Sequence, residues 1–163
     1  MKILVFSDTH GMTDRLNEII GRNRADTDLV IHLGDKFTDC YEVRNEYPNI
    51  AFISVSGNCD YISSVMSSPY EYSVTLEEKK FYITHGHLKG VKNGIYGLYY
   101  DARNTKSDIV LYGHTHVAKL EEKDGILFFN PGSLTLPRGS SVATYGKILL
   151  SGGKINCEIC EVE

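Results

Sequence analysis

Residues 1–11 read Met1-Lys2-Ile3-Leu4-Val5-Phe6-Ser7-Asp8-Thr9-His10-Gly11. Lys2–Phe6 is an apolar run of strand length, and directly at its end stand an aspartate and a histidine two residues apart. The same arrangement recurs down the chain. Leu29–Leu33 runs into Gly34-Asp35, and Ile50–Val55 into Ser56-Gly57-Asn58-Cys59-Asp60. Phe81–Thr84 runs into His85-Gly86-His87, and Ile109–Tyr112 into Gly113-His114-Thr115-His116. In open α/β sheets the carboxyl ends of the strands line the crevice where ligands bind. Glycine at such an end lets the backbone turn sharply and lets other groups come close. Asp8, His10, Asp35, Asn58, His85, His114 and His116 are therefore predicted to meet in one cleft.

Between these strands, Thr13–Arg24 places Leu16, Ile19 and Ile20 at helical spacing. Thr38–Tyr47 reads as a helix that stops before Pro48. Val91–Arg103 reads as one helix running through Gly94 and Gly97, with Tyr96, Tyr99 and Tyr100 spaced to pack on a sheet. Tyr70–Leu76 and Lys80–Thr84 flank Glu77-Glu78-Lys79, a hairpin connection. Lys119–Lys123, Ile126–Phe129, Val142–Leu150 and Lys154–Val162 read as strands joined by glycine-containing turns. A front half alternating strand and helix, followed by an all-strand back half, predicts a mixed α/β fold with two packed sheets. A length of 163 residues gives one core, and residues 1–163 read as a single domain.

Composition narrows the function. Hydrophobic residues make up 42%, charged residues 23% and the formal charge is −4, values of an ordinary globular chain without a basic face for nucleic acid or anionic membranes. No apolar run approaches the roughly 18 residues of a membrane span, and the four apolar residues before Ser7 are too few for a signal-peptide core. The expectation is a soluble, cytoplasmic protein. Cys40, Cys59, Cys157 and Cys160 then read as thiols, and Cys157-x-x-Cys160, without a second pair, as part of an alternating strand. Neither a G-x-S-x-G nucleophile turn nor a G-x-x-x-x-G-K-[ST] phosphate loop is present.

Two carboxylates, one amide and four imidazoles are oxygen and nitrogen donors of the kind that suit borderline divalent metals. Seven donors exceed the roughly four of a tetrahedral zinc site and suit two adjacent ions sharing a carboxylate. With Asp8-x-His10, Gly34-Asp35, Gly57-Asn58-x-Asp60, His85-Gly86-His87, Gly113-His114-x-His116 and Phe129-Asn130-Pro131-Gly132-Ser133, the sequence resembles the calcineurin-like metallophosphoesterase family. It is most similar to the small single-domain prokaryotic phosphodiesterases of that family, from Met1 to about Ser133. The resemblance implies a four-layer αββα fold, a two-sheet β-sandwich flanked by helices, with the terminal hairpin in the second sheet. It implies two divalent ions per chain, manganese first and Ni, Co, Fe or Zn as alternatives. Asp8, His10, Asp35 and His116 would hold one, and Asp35, Asn58, His85 and His114 the other, with Asp35 bridging.

The activity so implied is hydrolysis of a small phosphate ester, most directly a phosphodiester, by a hydroxide activated between the metals. Asp35, Asn58 and His85 would be catalytic, and Asn58, Cys59 and His87 would face substrate. The alternative is a non-catalytic metal-binding or protein-interaction scaffold of the same fold, as one relative, a retromer subunit, works mainly by protein interaction; such an interaction scaffold has no need of all seven donors. Two positions depart from the family: Cys59 stands where many catalytic members have His, and Thr38, followed by Asp39, where many have an acid. His87 either meets the substrate or supports His85, and His32, in mid-strand, reads as a buried, hydrogen-bonded side chain. Gaps of 25, 23, 27 and 29 residues separate His10, Asp35, Asn58, His85 and His114, too short for an inserted cap domain. An open cleft with only Lys36, Lys89 and Arg138 as nearby cations predicts diesters in preference to monoesters. Monomer and small homo-oligomer both stay open.

Overall fold

Alternation within single strands sets the layers of this fold. In strand β1 (Lys2–Phe6), Ile3 and Val5 point to one side and Leu4 and Phe6 to the other, and all four are fully buried. A strand buried on both faces has to be covered on both. The computed structural model, which describes residues 1–61, 67–139 and 142–162, shows how. Helix α1 (Thr13–Asn23) and helix α2 (Thr38–Val43) lie on one face of β1, β2 (Leu29–His32) and β3 (Ala51–Ser54), burying Leu16, Ile19, Ile20, Cys40 and Val43 against Leu4, Phe6 and Val30. On the other face Ile3, Val5, Leu29 and Ile31 meet a second sheet.

That second sheet runs in the order β4-β5-β6-β8-β7, from β4 (Glu71–Leu76), β5 (Lys79–Thr84), β6 (Ile109–Leu111), β7 (Lys119–Lys123) and β8 (Ile126–Asn130). Phe81, Ile83, Ile109, Leu111 and Phe129 face the first sheet, while Tyr82, Val110 and Phe128 face helix α3 (Tyr96–Thr105). The result is the four-layer αββα sandwich. Strands β1, β2 and β3 are mutually parallel, as are β5, β6 and β8, so their carboxyl ends gather at one rim.

Three expectations need correction. The terminal hairpin, β9 (Thr144–Ser151) and β10 (Lys154–Glu161), joins the first sheet and not the second, giving the order β10-β9-β1-β2-β3 with Ile3 opposite Ile148. Ile148 and Leu150 are buried in the layer between the sheets beside Ile3 and Val5. Gly146, opposite Val5, leaves bare the place where the Phe129 ring lies; a side chain there would collide with it. Second, the helix expected over Val91–Arg103 is broken. Val91–Asn93 is a single 3-10 turn, Gly94 is extended at φ 122 and ψ 179, and α3 begins at Tyr96. Third, Tyr96 and Tyr100 are 75% and 68% exposed, and α3 packs through Leu98 and Ala102 instead. The other helix after β2 is α2 followed by a 3-10 turn, Arg44–Glu46, ahead of Pro48.

The cysteine reading holds. All four thiols are free. Cys157 and Cys160 are three apart in β10, so the period of two puts them on opposite faces. Among the described residues no helix is long and apolar enough to cross a membrane.

Candidate metal centre

The strand ends at the common rim are shaped by backbone that L-residues seldom adopt. Asp8, His10, Asp35, His114 and His116 all have positive φ, between 48 and 67°. Left-handed non-glycine residues cost on the order of 1–3 kcal/mol each and persist only where surrounding bonds enforce them. Those bonds are present. Asp8 N–H donates to Gly34 O at 3.0 Å and His10 N–H to Asp35 O at 3.3 Å, tying the first loop to the second. Ser133 and Thr135 hydroxyls donate to Asp8 O at 3.0 and 3.1 Å. Asn130 Nδ2 donates to Gly113 O at 3.0 Å and holds the His114 loop. Gly57 and Gly113 are required by close approach: a Cβ at Gly57 would collide with Asp35 Oδ1, and one at Gly113 with Ser7 Oγ.

The side chains so aimed fall into two groups. Donor atoms of Asp8, His10, Asp35 and His116 all lie within 4.8 Å of one another. In the second group His85 Nε2 lies 3.2 Å from Asn58 Oδ1 and 3.4 Å from Asp35 Oδ1, and the His85 and His114 rings are 5.1 Å apart. Asp35 lies close to both groups. His87 packs at a tilt beside this second group, 5.3 Å from the His85 ring and 6.1 Å from that of His114, and meets the Tyr70 ring edge-on at 5.7 Å. Burial, then the His85 charge, lowers its pKa.

The imidazoles are oriented from behind. His85 Nδ1 lies 2.7 Å from Leu33 O and His116 Nδ1 lies 2.7 Å from Leu136 O. A carbonyl can only accept, so each Nδ1 carries a proton and each ring turns its Nε2 into the cleft, where in the metal-binding form it offers a lone pair. For His116 that lone pair faces Asp8 Oδ1 at 3.0 Å. Two electron pairs at that distance repel unless a cation lies between them. His10 Nε2 is moreover buried without a hydrogen-bond partner, which costs about 1–3 kcal/mol when left so. The donor set therefore fits a divalent metal. The Asp8 carboxylate raises the pKa of His116. Burial would raise the Asp8 carboxyl in turn, but the His116 hydrogen bond and the His85 charge outweigh it and hold it low. Burial, then His85 and Lys92, pushes His114 down to about 4, so its ring is neutral and free to donate an electron pair.

Three residues outside the predicted set build this centre. Asp60 accepts four backbone N–H groups, from Asp35, Lys36, Phe37 and Gly57, at 2.7–3.1 Å. It is the acid of Gly57-Asn58-x-Asp60, a signal visible in the sequence although its role is not. His32 is fully buried, as expected, accepting from Gly34 N–H at Nδ1 and meeting Thr9 Oγ1 through Nε2 at 2.9 Å. Thr9 passes its own proton to Asp39 at 2.6 Å, and Asp39 also accepts Gly11 N–H. The acid displaced by one position from the family pattern thus anchors the Asp8-x-His10 loop. Cys59 N–H donates to Asp35 Oδ1 at 2.8 Å, and its thiol, at the cleft edge, is pushed up to about 11 by burial and by Asp35.

Similarity to known proteins agrees with this geometry. Residues 1–151 match the sequence family described as a calcineurin-like phosphoesterase superfamily domain. A probable metallophosphoesterase of Bacillus subtilis, YsnB, is 35% identical over 92% of this chain and 85% of its own. Phosphodiesterase YfcE of Escherichia coli is 33% identical over 91% of this chain and 87% of its own. The crystal structure of a conserved Streptococcus pneumoniae protein, described as a predicted phosphoesterase, superposes with a TM-score of 0.82 at 28% identity. It covers 98% of this chain and 88% of that one.

Proposed function

The chain belongs to the calcineurin-like phosphoesterase superfamily, and from that premise we propose that it is a phosphodiesterase working with two divalent metal ions. The observation that carries this reading is the pair of donor groups meeting at Asp35, with His85 and His116 each pinned by a carbonyl so that a lone pair faces a carboxylate or amide oxygen. Asp8, His10, Asp35 and His116 would hold one ion, and Asp35, Asn58, His85 and His114 the other. When bound, the ions supply Lewis acidity toward phosphate oxygens and lower the pKa of water to near neutrality. Manganese fits such a mixed nitrogen and oxygen set, as do nickel, cobalt, iron and zinc.

The chain's own groups do the rest. The Asp60 carboxylate holds the Asp35 backbone N–H, and Cys59 N–H donates to the Asp35 carboxylate. Exposed Asn58 and Cys59 and half-exposed His87 and His114 form the open lip of the cleft, where a phosphate with substituents on both sides can enter. A protein-interaction scaffold would have no use for a buried, unpartnered nitrogen at His10 beside the Asp8 and Asp35 carboxylates, and this favours an enzyme over the interaction module.

The test is a chelator-stripped preparation assayed with bis(p-nitrophenyl) phosphate and p-nitrophenyl phosphate, then reloaded one metal at a time. Activity should vanish on stripping and return with manganese or nickel above magnesium, with the diester preferred in kcat/KM. Full activity in the stripped protein, or a monoester preference of about tenfold, roughly 1.4 kcal/mol in transition-state binding, would sink the reading.

A further inference from the structure

Beside the loop that carries His114 and His116 lies a cavity of about 310 Å³ that the seven donors do not line. Thr115 and Val117, the two neighbours of His116, form its wall toward the metal centre. Val91, Ile95 and Tyr112 give it an apolar lining. The break at Gly94 makes this possible, because it brings Lys92, before the break, and Ile95, after it, to the same cavity. Arg138 lines it from the opposite segment, which is tied to the donor loop by Arg138 N–H donating to His116 O at 2.8 Å.

The charges are the informative part. Lys119 also lines the cavity but pairs with Glu121 at 2.9 Å. The exposed side chains of Lys92 and Arg138 have no ion-pair or hydrogen-bond partner among the described residues. Lys89, by contrast, one of the cations expected near the cleft, is taken up by Glu71 at 2.6 Å and Asp101 at 2.8 Å. In a chain of net charge −4, two unpaired cations converge on one apolar-lined cavity next to a centre built for phosphate.

We propose that this cavity is a substituent subsite and receives a nucleoside-sized group that ends in a second phosphate. The inference rests on the phosphodiesterase reading and deepens it by naming the substrate class, a phosphodiester carrying a further phosphate on one substituent. The volume lies at the low end of ligand pockets, roughly 300–1,000 Å³, and suits one sugar and base. The apolar lining takes the ring system, while Lys92 and Arg138 take the phosphate, a guanidinium and an ammonium being the groups that recognise it.

Thymidine 5′-(p-nitrophenyl phosphate) and its 3′-phosphorylated counterpart differ only in the second phosphate and release the same nitrophenol. The 3′-phosphorylated substrate should show a kcat/KM at least tenfold higher at low ionic strength, an advantage that fades with added salt. In a Lys92→Gln/Arg138→Gln variant the ratio between the two substrates should fall to near one. Calorimetric binding of thymidine 3′,5′-bisphosphate to the protein should weaken at least tenfold in the same variant. A ratio near one in the unaltered protein, or an equal fall for both substrates in the variant, would overturn the subsite. Should neither substrate turn over with any metal, the phosphodiesterase reading fails, and bisphosphate binding unchanged by the double substitution would then reject the subsite as well.

Discussion

The Asp60 carboxylate accepts the backbone N–H of Asp35 at 2.9 Å. Asp35, the proposed bridging ligand, is thus set in its left-handed conformation by a side chain delivered from the Asn58 loop. The same carboxylate takes the N–H groups of Lys36, Phe37 and Gly57. Asp60→Asn keeps the shape but turns an amide N–H against backbone donors. Unfolding free energy should fall by about 2–3 kcal/mol, the scale of a lost charged hydrogen bond, and metal affinity by about 10–100-fold, as for other residues that orient ligands. Urea denaturation and metal titration of the variant check this, and an unchanged affinity would contradict it.

Asp35→Asn tests the bridge itself. The amide has one oxygen and one nitrogen donor group, so it cannot serve both sets of ligands as a carboxylate does. Turnover should be abolished and metal content should drop below two per chain. Two tightly bound ions in the purified variant would disprove the bridging assignment.

Cys59→Ala should keep most activity, with a loss under tenfold. The surrounding carboxylates and partial burial hold the thiol protonated up to about 11, far above the pKa near the working pH that an efficient proton donor needs. What Cys59 supplies to Asp35 is its backbone N–H, which alanine retains. A loss of about 10²–10⁴-fold, restricted to poor leaving groups, would make the thiol the general acid after all.

Stability of the metal-free protein should depend on pH through His32. Burial pushes its pKa down to about 4 from an ordinary 6.5, against the opposing charges of Asp39, Asp60 and Asp8. The unfolded chain therefore binds more protons between those values, and stability rises with pH across that window. The full contribution is present above about pH 6.5 and is lost as pH falls toward 4. Between pH 7 and pH 5 it should amount to about 2 kcal/mol. Urea unfolding at the two pH values, compared with His32→Gln, isolates this component. An equal slope in both proteins would rule His32 out, and its ring resonances should stay those of neutral imidazole at pH 5.

Much of this centre is legible in the sequence because each donor follows a short apolar strand, and parallel strands bring such ends together without further instruction. The strands of the sandwich are legible for the same reason, through alternation such as Ile3 and Val5 against Leu4 and Phe6. What the sequence conceals is partnership. Val142–Leu150 reads correctly as a strand, yet nothing local tells that β9 pairs with β1; that depends on Ile148 finding the space beside Ile3 and on Gly146 yielding to Phe129. Gly94 interrupts a helix that periodicity would carry through, since an extended glycine looks the same as a helical one. Lys92 and Arg138 are 46 residues apart and become neighbours of one cavity only in the fold. Asp60 and Asp39 act on backbone N–H groups, a role that leaves no pattern of residue types.

The pairing of β9 with β1 also bears on how the chain is made. β1 is synthesised more than a hundred residues before β9, yet they are neighbours in one sheet. On the ribosome β1 pairs with β2 on one side only, and its other edge stays a row of unsatisfied N–H and C=O groups, the kind of edge that recruits foreign strands. Ile148 and Leu150 arrive with β9 to fill the layer between the sheets, so that interior stays unsealed until then. The nascent chain before β9 has emerged is therefore the form with the open sheet edge, and the one most in need of chaperone protection.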